Sequence, residues 1–297
     1  MAARNSTPGR LGDWITDRIL RGLIALALAL PYAARVRLMG WLMRRVIGPL
    51  AGYRRRAREN LALIWPDMPP AHRNSIADAA IDNAGRTLIE NYANRELAHR
   101  MAGARVQGDG LQALAAARAA GRPVIFVTGH FGNYEAPRHV LAAQGHVIGG
   151  LYRAMSNPFF NSHYAATMAG VSGPVFEKGR RGTMGFARFL KSGGMATILF
   201  DVHDSSGEMI PFLGRPAPTS TSAATLALRF DALLLPYFGI RQPDGLGFDI
   251  LVEAPIAHSD PVTMTAAMTA RLEAQIAAHP GQWFWVHRRW KPRRTRD

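Results

Sequence analysis

A mixed α/β fold, with a largely parallel central sheet flanked by helices, is what this 297-residue sequence predicts. Short runs of β-branched and aromatic residues, Val124 to Val127 and Met195 to Phe200 among them, alternate with longer segments whose apolar residues recur every three to four positions. That exchange of periods marks successive strand and helix units. Within the runs consecutive residues are apolar, as strands covered on both faces require. Glycines punctuate the best of them, Gly121 before it and Gly129 and Gly132 after it, where the chain changes direction.

The elements follow in order. Residues 11 to 47 mix apolar and basic segments, and the longest uncharged run, Gly22 to Ala34, has thirteen residues interrupted by Pro31. A bilayer-crossing helix needs ~20 apolar residues. Trp14, Trp41 and the flanking Arg residues suit helices lying in a membrane surface, with a core hairpin of helices or a tilted single span as the other readings. Tyr53 to Leu63 stays basic, and Trp65-Pro66-Asp67-Met68-Pro69-Pro70 breaks the pattern. One helix is expected from Ala71 to about Ala102 and another from Leu111 to Ala120, then a strand from Pro123. Ala136 to Gln144 reads as helix, His146 to Leu151 as strand, Phe159 to Met168 as helix, Pro174 to Phe176 as a short strand, Gly182 to Lys191 as helix and Met195 to Phe200 as strand. A helix over Ser220 to Arg229, a hairpin made by Leu233 to Ile240 and Gly245 to Glu253, and an amphipathic helix over Thr263 to Ala278 complete the series, before a Trp-rich end at Trp283 to Trp290. The expected division is residues 1–52 as membrane-anchoring helices and 53–297 as one α/β domain.

Composition removes several function classes. There is no Cys, hence no disulfide, thiol nucleophile or Cys-ligated metal. The net charge of +15 is concentrated at the ends: residues 1–60 hold twelve Arg against three acids and residues 287–297 six basic residues against one acid, leaving the rest close to neutral. No helix-turn-helix, zinc-finger or aromatic RNA platform accompanies this basic collar, so nucleic acid is not an expected partner. Arg outnumbers Lys thirty-three to three, and guanidinium suits phosphate or carboxylate partners.

The stretch Pro123 to Glu135, PVIFVTGHFGNYE, carries the chemistry. His130 leaves the carboxyl end of a predicted strand, the edge at which open α/β sheets bind ligands. Its His-x4-Glu spacing to Glu135 recurs at His203 and Glu208, so spacing alone does not choose between them. No G-x-S-x-G, phosphate loop, G-x-G-x-x-G or H-E-x-x-H is present, which removes most hydrolase and nucleotide readings. A metal site built from His130, His139 and His146 lacks ligand spacing, and no metal is expected. A His beside a carboxylate without a Ser or Cys nucleophile suggests a base acting on a substrate hydroxyl. Five positions lie about 140° apart around a helix, so the two side chains meet only if His130 sits in the turn and Glu135 in the first helical turn.

TGHFGNYE, together with ARENL before a Trp-Pro break, LYRAMSNPFFN, EKGRRG, IPFLGRPAPTSTSAATLALRF and QWFWVHRRWK in that order, resembles the late acyltransferases of lipid A biosynthesis, the lauroyl and myristoyl transferases within the lysophospholipid-acyltransferase-like group. The resemblance spans roughly Tyr53 to Pro292 and singles out His130 of the two spacings. It implies transfer of a fatty acyl chain from acyl carrier protein to a hydroxyl of a Kdo-bearing lipid A precursor, at the cytoplasmic face of a bacterial inner membrane, with no cofactor. Acyl carrier protein and anionic membrane lipid are the implied partners. His130 is the implied base and Glu135 its partner, with Asn133, Arg153, Asn157, Arg181 and Asp201 facing substrate, and Arg180 as an alternative to Arg181. Two departures stand out. The family's Asp-x-Asp is here Asp201-Val202-His203-Asp204, leaving Asp201 or Asp204 as the match, and Gly281 stands where Glu is usual. Acylation of another lipid, such as a lysophospholipid, ornithine lipid or glycolipid, is the nearest alternative, and a non-catalytic membrane scaffold is the rival from another class.

Overall fold

Five consecutive residues that are β-branched, aromatic or otherwise fit for a pleated strand, Val124–Thr128, run through the middle of the sheet with every side chain buried. The computed structural model in which this is seen describes residues 11–291; residues 1–10 and 292–297, which hold part of the basic collar, lie outside the described residues. In chain order the helices and strands are α1 (Leu11–Leu28), α2 (Tyr32–Leu42), a π-helical turn (Met43–Ile47), α3 (Gly48–Leu50), α4 (Tyr53–Ile64), α5 (Pro70–Tyr92), α6 (Asn94–Met101), β1 (Val106–Gln107), α7 (Leu111–Ala119), β2 (Val124–Thr128), α8 (Ala136–Ala143), β3 (Ile148–Tyr152), α9 (Pro158–Ala169), β4 (Val175–Glu177), α10 (Arg180–Lys191), β5 (Met195–Leu199), β6 (Glu208–Phe212), β7 (Arg215–Thr219), α11 (Ser222–Phe230), β8 (Leu233–Arg241), β9 (Phe248–Val252) and α12 (Pro261–Ala278).

Seven strands form one sheet in the order β1-β9-β8-β2-β5-β3-β4. All neighbours are parallel except β8 and β9, which form the expected hairpin. The pleat sends alternate residues of β2 to opposite faces. Ile125 and Val127 join a core with Phe186 of α10, Ala224 of α11 and Leu272 of α12, whereas Val124 and Phe126 pack with Leu114 of α7 and Leu141 of α8. Local chemistry fixes several boundaries. Pro70 and Pro261 occupy first-turn positions, where a missing N–H costs nothing, and Asp260 caps α12 by accepting from Val262 and Thr263 N–H at 2.9 and 3.0 Å.

Three features differ from the sequence expectation. The helix expected from Ala71 to Ala102 is two, broken at Ala93 between α5 and α6. The antiparallel pair β6–β7 lies outside the main sheet, and the short β1 extends the sheet beyond β9. At the N-terminus, no helix among the described residues is long and apolar enough to cross a membrane. The chain instead breaks at Pro31 between α1 and α2. α1 inverts the usual amphipathic arrangement: Leu11, Ile15, Ile19, Leu23, Leu26 and Leu30, at helical spacing along and just beyond it, are exposed, while Asp17 is fully buried.

Candidate active site

Strand adjacency builds the site. β2 and β5 are parallel neighbours with Thr128 opposite Leu199, so the chains leaving them two residues later bring His130 and Asp201 together. His130 donates its backbone N–H to Asp201 Oδ2 at 2.8 Å, and its Nδ1 lies 2.8 Å from Asp201 Oδ1. Trp283 Nε1–H donates to the same Oδ2 at 2.9 Å. Trp283 is delivered by the chain end, which pairs with the turn through a bridge to Phe131 and through Phe284 N–H to His130 O. Two glycines permit this closeness. A Cβ on Gly129 would lie 2.7 Å from Leu272 and 2.9 Å from Asp201 Oδ2; Gly132, at φ +53°, would put one 1.9 Å from Gly239 O.

Asp201 is fully buried. Burial pushes its pKa up, but the charge and hydrogen bonds of His130, with His287 nearby, reverse this and hold it well below the usual carboxylate range. An ionised Asp201 only accepts, so the neutral imidazole carries its proton on Nδ1 and keeps a lone pair on Nε2. His287 packs edge-to-face on the His130 ring, with centroids 4.6 Å apart, and its Nε2 is 3.8 Å from Asp201 Oδ2. Burial, followed by the charge of His130, lowers the His287 pKa to about 4, which leaves it neutral near pH 7. The ligand atoms of His130, Asp201 and His287 lie within 4.8 Å of one another, a spacing that would admit a metal ion.

Glu135 does not form the expected pair with His130. It opens α8, where its carboxylate accepts from Arg138 Nη1 at 3.2 Å, both side chains being buried. The carboxylate against His130 is Asp201, which the sequence placed in a block of uncertain register. Asp204 instead accepts from Ser206 N–H and Oγ–H, and Glu208, partner of the second His-x4-Glu spacing, begins β6. Asn133 is fully buried, so it does not reach substrate in this conformation; it donates to Glu90 Oε2 at 2.9 Å and accepts from Glu135 N–H at 3.0 Å. Asn157 caps α9 by accepting from Phe159 and Phe160 N–H and ties that helix to α1 by donating to Asp13 O. Arg153, after β3, and Arg180 and Arg181, at the start of α10, are exposed beyond the carboxyl ends of the strands.

Sequence reasoning noticed the Trp-rich end without giving Trp283 or His287 a role, and it missed Glu90, Arg138 and Arg241 altogether. The indole N–H of a Trp beside a buried Asp is unreadable without the fold. A narrow cavity of about 50 Å³ adjoins the turn, walled by Leu88 and Tyr92 of α5, Tyr134 and Glu135, and Tyr164, Thr167 and Met168 of α9. Burial raises Tyr92 and Tyr164 to about 12, so their phenols stay neutral. An imidazole polarised by Asp201 thus lies near an apolar recess, the two linked by Tyr134, which packs edge-to-face on the His130 ring and also walls the recess.

Comparison with known proteins identifies the family. The model of the bacterial lipid A biosynthesis acyltransferase family matches residues 4–292. The chain is similar to the lipid A biosynthesis lauroyltransferase of Escherichia coli (strain K12), 27% identical over 92% of this chain and 90% of that one. It is also similar to the lipid A biosynthesis myristoyltransferase of the same organism, 24% identical over 81% and 76% of the two chains, and to the phosphatidylinositol mannoside acyltransferase of Mycobacterium tuberculosis (strain ATCC 25618 / H37Rv), 25% identical over 78% and 76%. With a match over nearly its whole length, the chain belongs to the bacterial lipid A biosynthesis acyltransferase family and is an acyltransferase.

Proposed function

We propose that the protein transfers a fatty acyl chain from acyl carrier protein to a hydroxyl of a Kdo-bearing lipid A precursor at the cytoplasmic face of the inner membrane. The observation that carries the reading is the His130–Asp201 pair at the carboxyl edge of the sheet, with Tyr134 packed on the His130 ring and walling the apolar recess. His130 Nε2 takes the proton of the acceptor hydroxyl as that oxygen attacks the thioester carbonyl. The tetrahedral oxyanion is held by backbone N–H groups or by Arg153 or Arg181. As the carbonyl re-forms, the C–S bond breaks and the proton on Nε2 passes to the leaving thiolate. The ester and the free carrier thiol are the products, and the sequence of steps requires no metal or prosthetic group.

The exposed apolar stripe on α1, with Trp41 exposed on α2 and the Arg residues between, supports seating in the membrane surface among anionic lipids rather than passage through it. The similarity to the phosphatidylinositol mannoside acyltransferase supports a second reading, in which the acceptor hydroxyl belongs to another membrane glycolipid. Mass spectrometry of lipids from a deletion strain separates the two by which species loses one acyl chain. Complementation with the His130→Ala variant is expected to leave that loss unrepaired, because general base catalysis contributes ~10²–10⁴-fold. Full repair by the folded variant would remove His130 from the mechanism.

A further inference from the structure

Beneath the catalytic turn lies a charged network that the transfer chemistry does not use. Glu90, in the last turn of α5, is fully buried, and Arg241, at the end of β8, meets it with hydrogen bonds of 2.6 and 2.7 Å. Burying such a pair carries a desolvation penalty that apolar side chains of similar volume avoid, so fold stability is a poor reason for its presence. Its remaining bonds give a better one. Arg241 also donates to Asn83 Oδ1 at 2.7 Å and to Thr87 Oγ1 at 3.1 Å. Asn83 Nδ2–H and Thr87 Oγ1–H in turn both donate to Gly132 O, at 2.9 and 2.8 Å. Glu90 Oε2 accepts from Asn133 Nδ2–H at 2.9 Å, which turns Asn133 Oδ1 toward the N–H of Glu135. Three of these bonds end on the two residues that lie two and three positions after His130, while others tie the network to Gln282 O and Gly245 O.

We propose that Glu90 is a positioning residue for the acyl-transfer site: held by Arg241, its carboxylate fixes the Asn133 amide and, through the Gly132–Asn133 backbone, the place of His130 relative to the acceptor hydroxyl. The inference rests on the reading of His130 as the base. The network acts on geometry alone, since none of its members touches the imidazole, and a reacting group displaced by ~1 Å can cost ~10²-fold in rate. Fully satisfied buried networks of this kind specify one conformation.

The test uses the purified full chain with lauroyl-acyl carrier protein and a Kdo-bearing lipid A precursor. Wild type, His130→Ala, Glu90→Gln, Thr87→Val and Asn133→Asp are compared in kcat, KM, pH profile and thermal midpoint. Glu90→Gln is expected to lower kcat at least tenfold, with KM within about twofold and the midpoints of the pH profile unmoved, because binding groups and the His130–Asp201 pair remain. Asn133→Asp sets two carboxylates against each other and loses at least as much. If Glu90→Gln does not fold, Thr87→Val carries the same expectation, because it removes a bond to Gly132 and leaves the ion pair intact. Unchanged kcat in folded Glu90→Gln or Thr87→Val overturns the positioning role. Retained activity in His130→Ala would overturn the base assignment instead.

Discussion

At His130 the division of labour is set by which ring nitrogen is occupied. Asp201 takes Nδ1 at 2.8 Å and also holds the residue's backbone N–H, so the imidazole is fixed in both tautomer and direction. Asp201→Asn keeps the shape, but its amide can donate to Nδ1 and thereby favour the tautomer with the proton on Nε2, which cannot act as a base. Transfer by this variant is expected to fall by about 10²–10⁴-fold, the range of general base catalysis. Because the pKa of Asp201 is depressed in the folded protein, it remains ionised throughout pH 5 to 8, and the loss should be seen across that whole window. Wild-type kcat in the folded variant at any pH in that window would remove Asp201 from the mechanism. The sequence made His130 legible through its glycine-flanked turn after an apolar strand, but not its partner. Glu135, five residues away, drew the assignment, whereas the true contact spans 71 residues and exists only because β5 lies beside β2.

Elements were legible where their residues obeyed one period, and obscure where another interaction overrode it. β2, β3, β5 and β8 were read from consecutive apolar residues. β6 and β7 were not, because Pro211, Pro216 and Pro218 argue against strands; a two-stranded pair apart from the main sheet tolerates them, since no further strand needs their missing donors. Leu213 and Gly214, both at positive φ, make its turn. The break between α5 and α6 has neither Gly nor Pro at Ala93, so propensity gave no warning. α1 is the opposite case, a helix legible in the sequence. Its buried Asp17 lies near Arg18 and Arg21 at 3.3 and 3.8 Å, while Ile19, Leu23 and Leu26 face outward. If that face seats in lipid, replacing those three residues by Gln should lower co-sedimentation with anionic vesicles by tenfold or more, given ~1.5–3 kcal/mol for each large apolar side chain fully buried. The circular dichroism spectrum should not change. Binding equal to wild type would place the membrane contact elsewhere.

Across the whole molecule, two buried histidines make the fold sensitive to mild acid. Burial, with the charge of His130 next, brings His287 down to about 4, and burial with the charge of Arg138 does the same to His139. In the unfolded chain each returns to the ordinary value near 6.5. Both pKa values are therefore depressed by folding, so the unfolded chain binds protons first: stability is fully present above about 6.5 and declines as pH falls toward 4. The loss between pH 7 and pH 5 is on the order of 1–2 kcal/mol for each histidine, a large share of the ~5–15 kcal/mol that holds a domain together. Asp201 acts in the same direction but at lower pH: because folding depresses its pKa, its contribution is fully present above the ordinary carboxylate value of 3.8 and is lost only as pH falls below it. Urea denaturation should therefore show a lower midpoint at pH 5 than at pH 7 with the slope unchanged. His139→Leu, which replaces a buried ring whose Nε2 has no hydrogen-bond partner, should narrow that gap by roughly half. The variant tests the cause as well as the effect: equal midpoints at the two pH values, or a gap that His139→Leu leaves intact, would show that these buried rings do not govern the acid response.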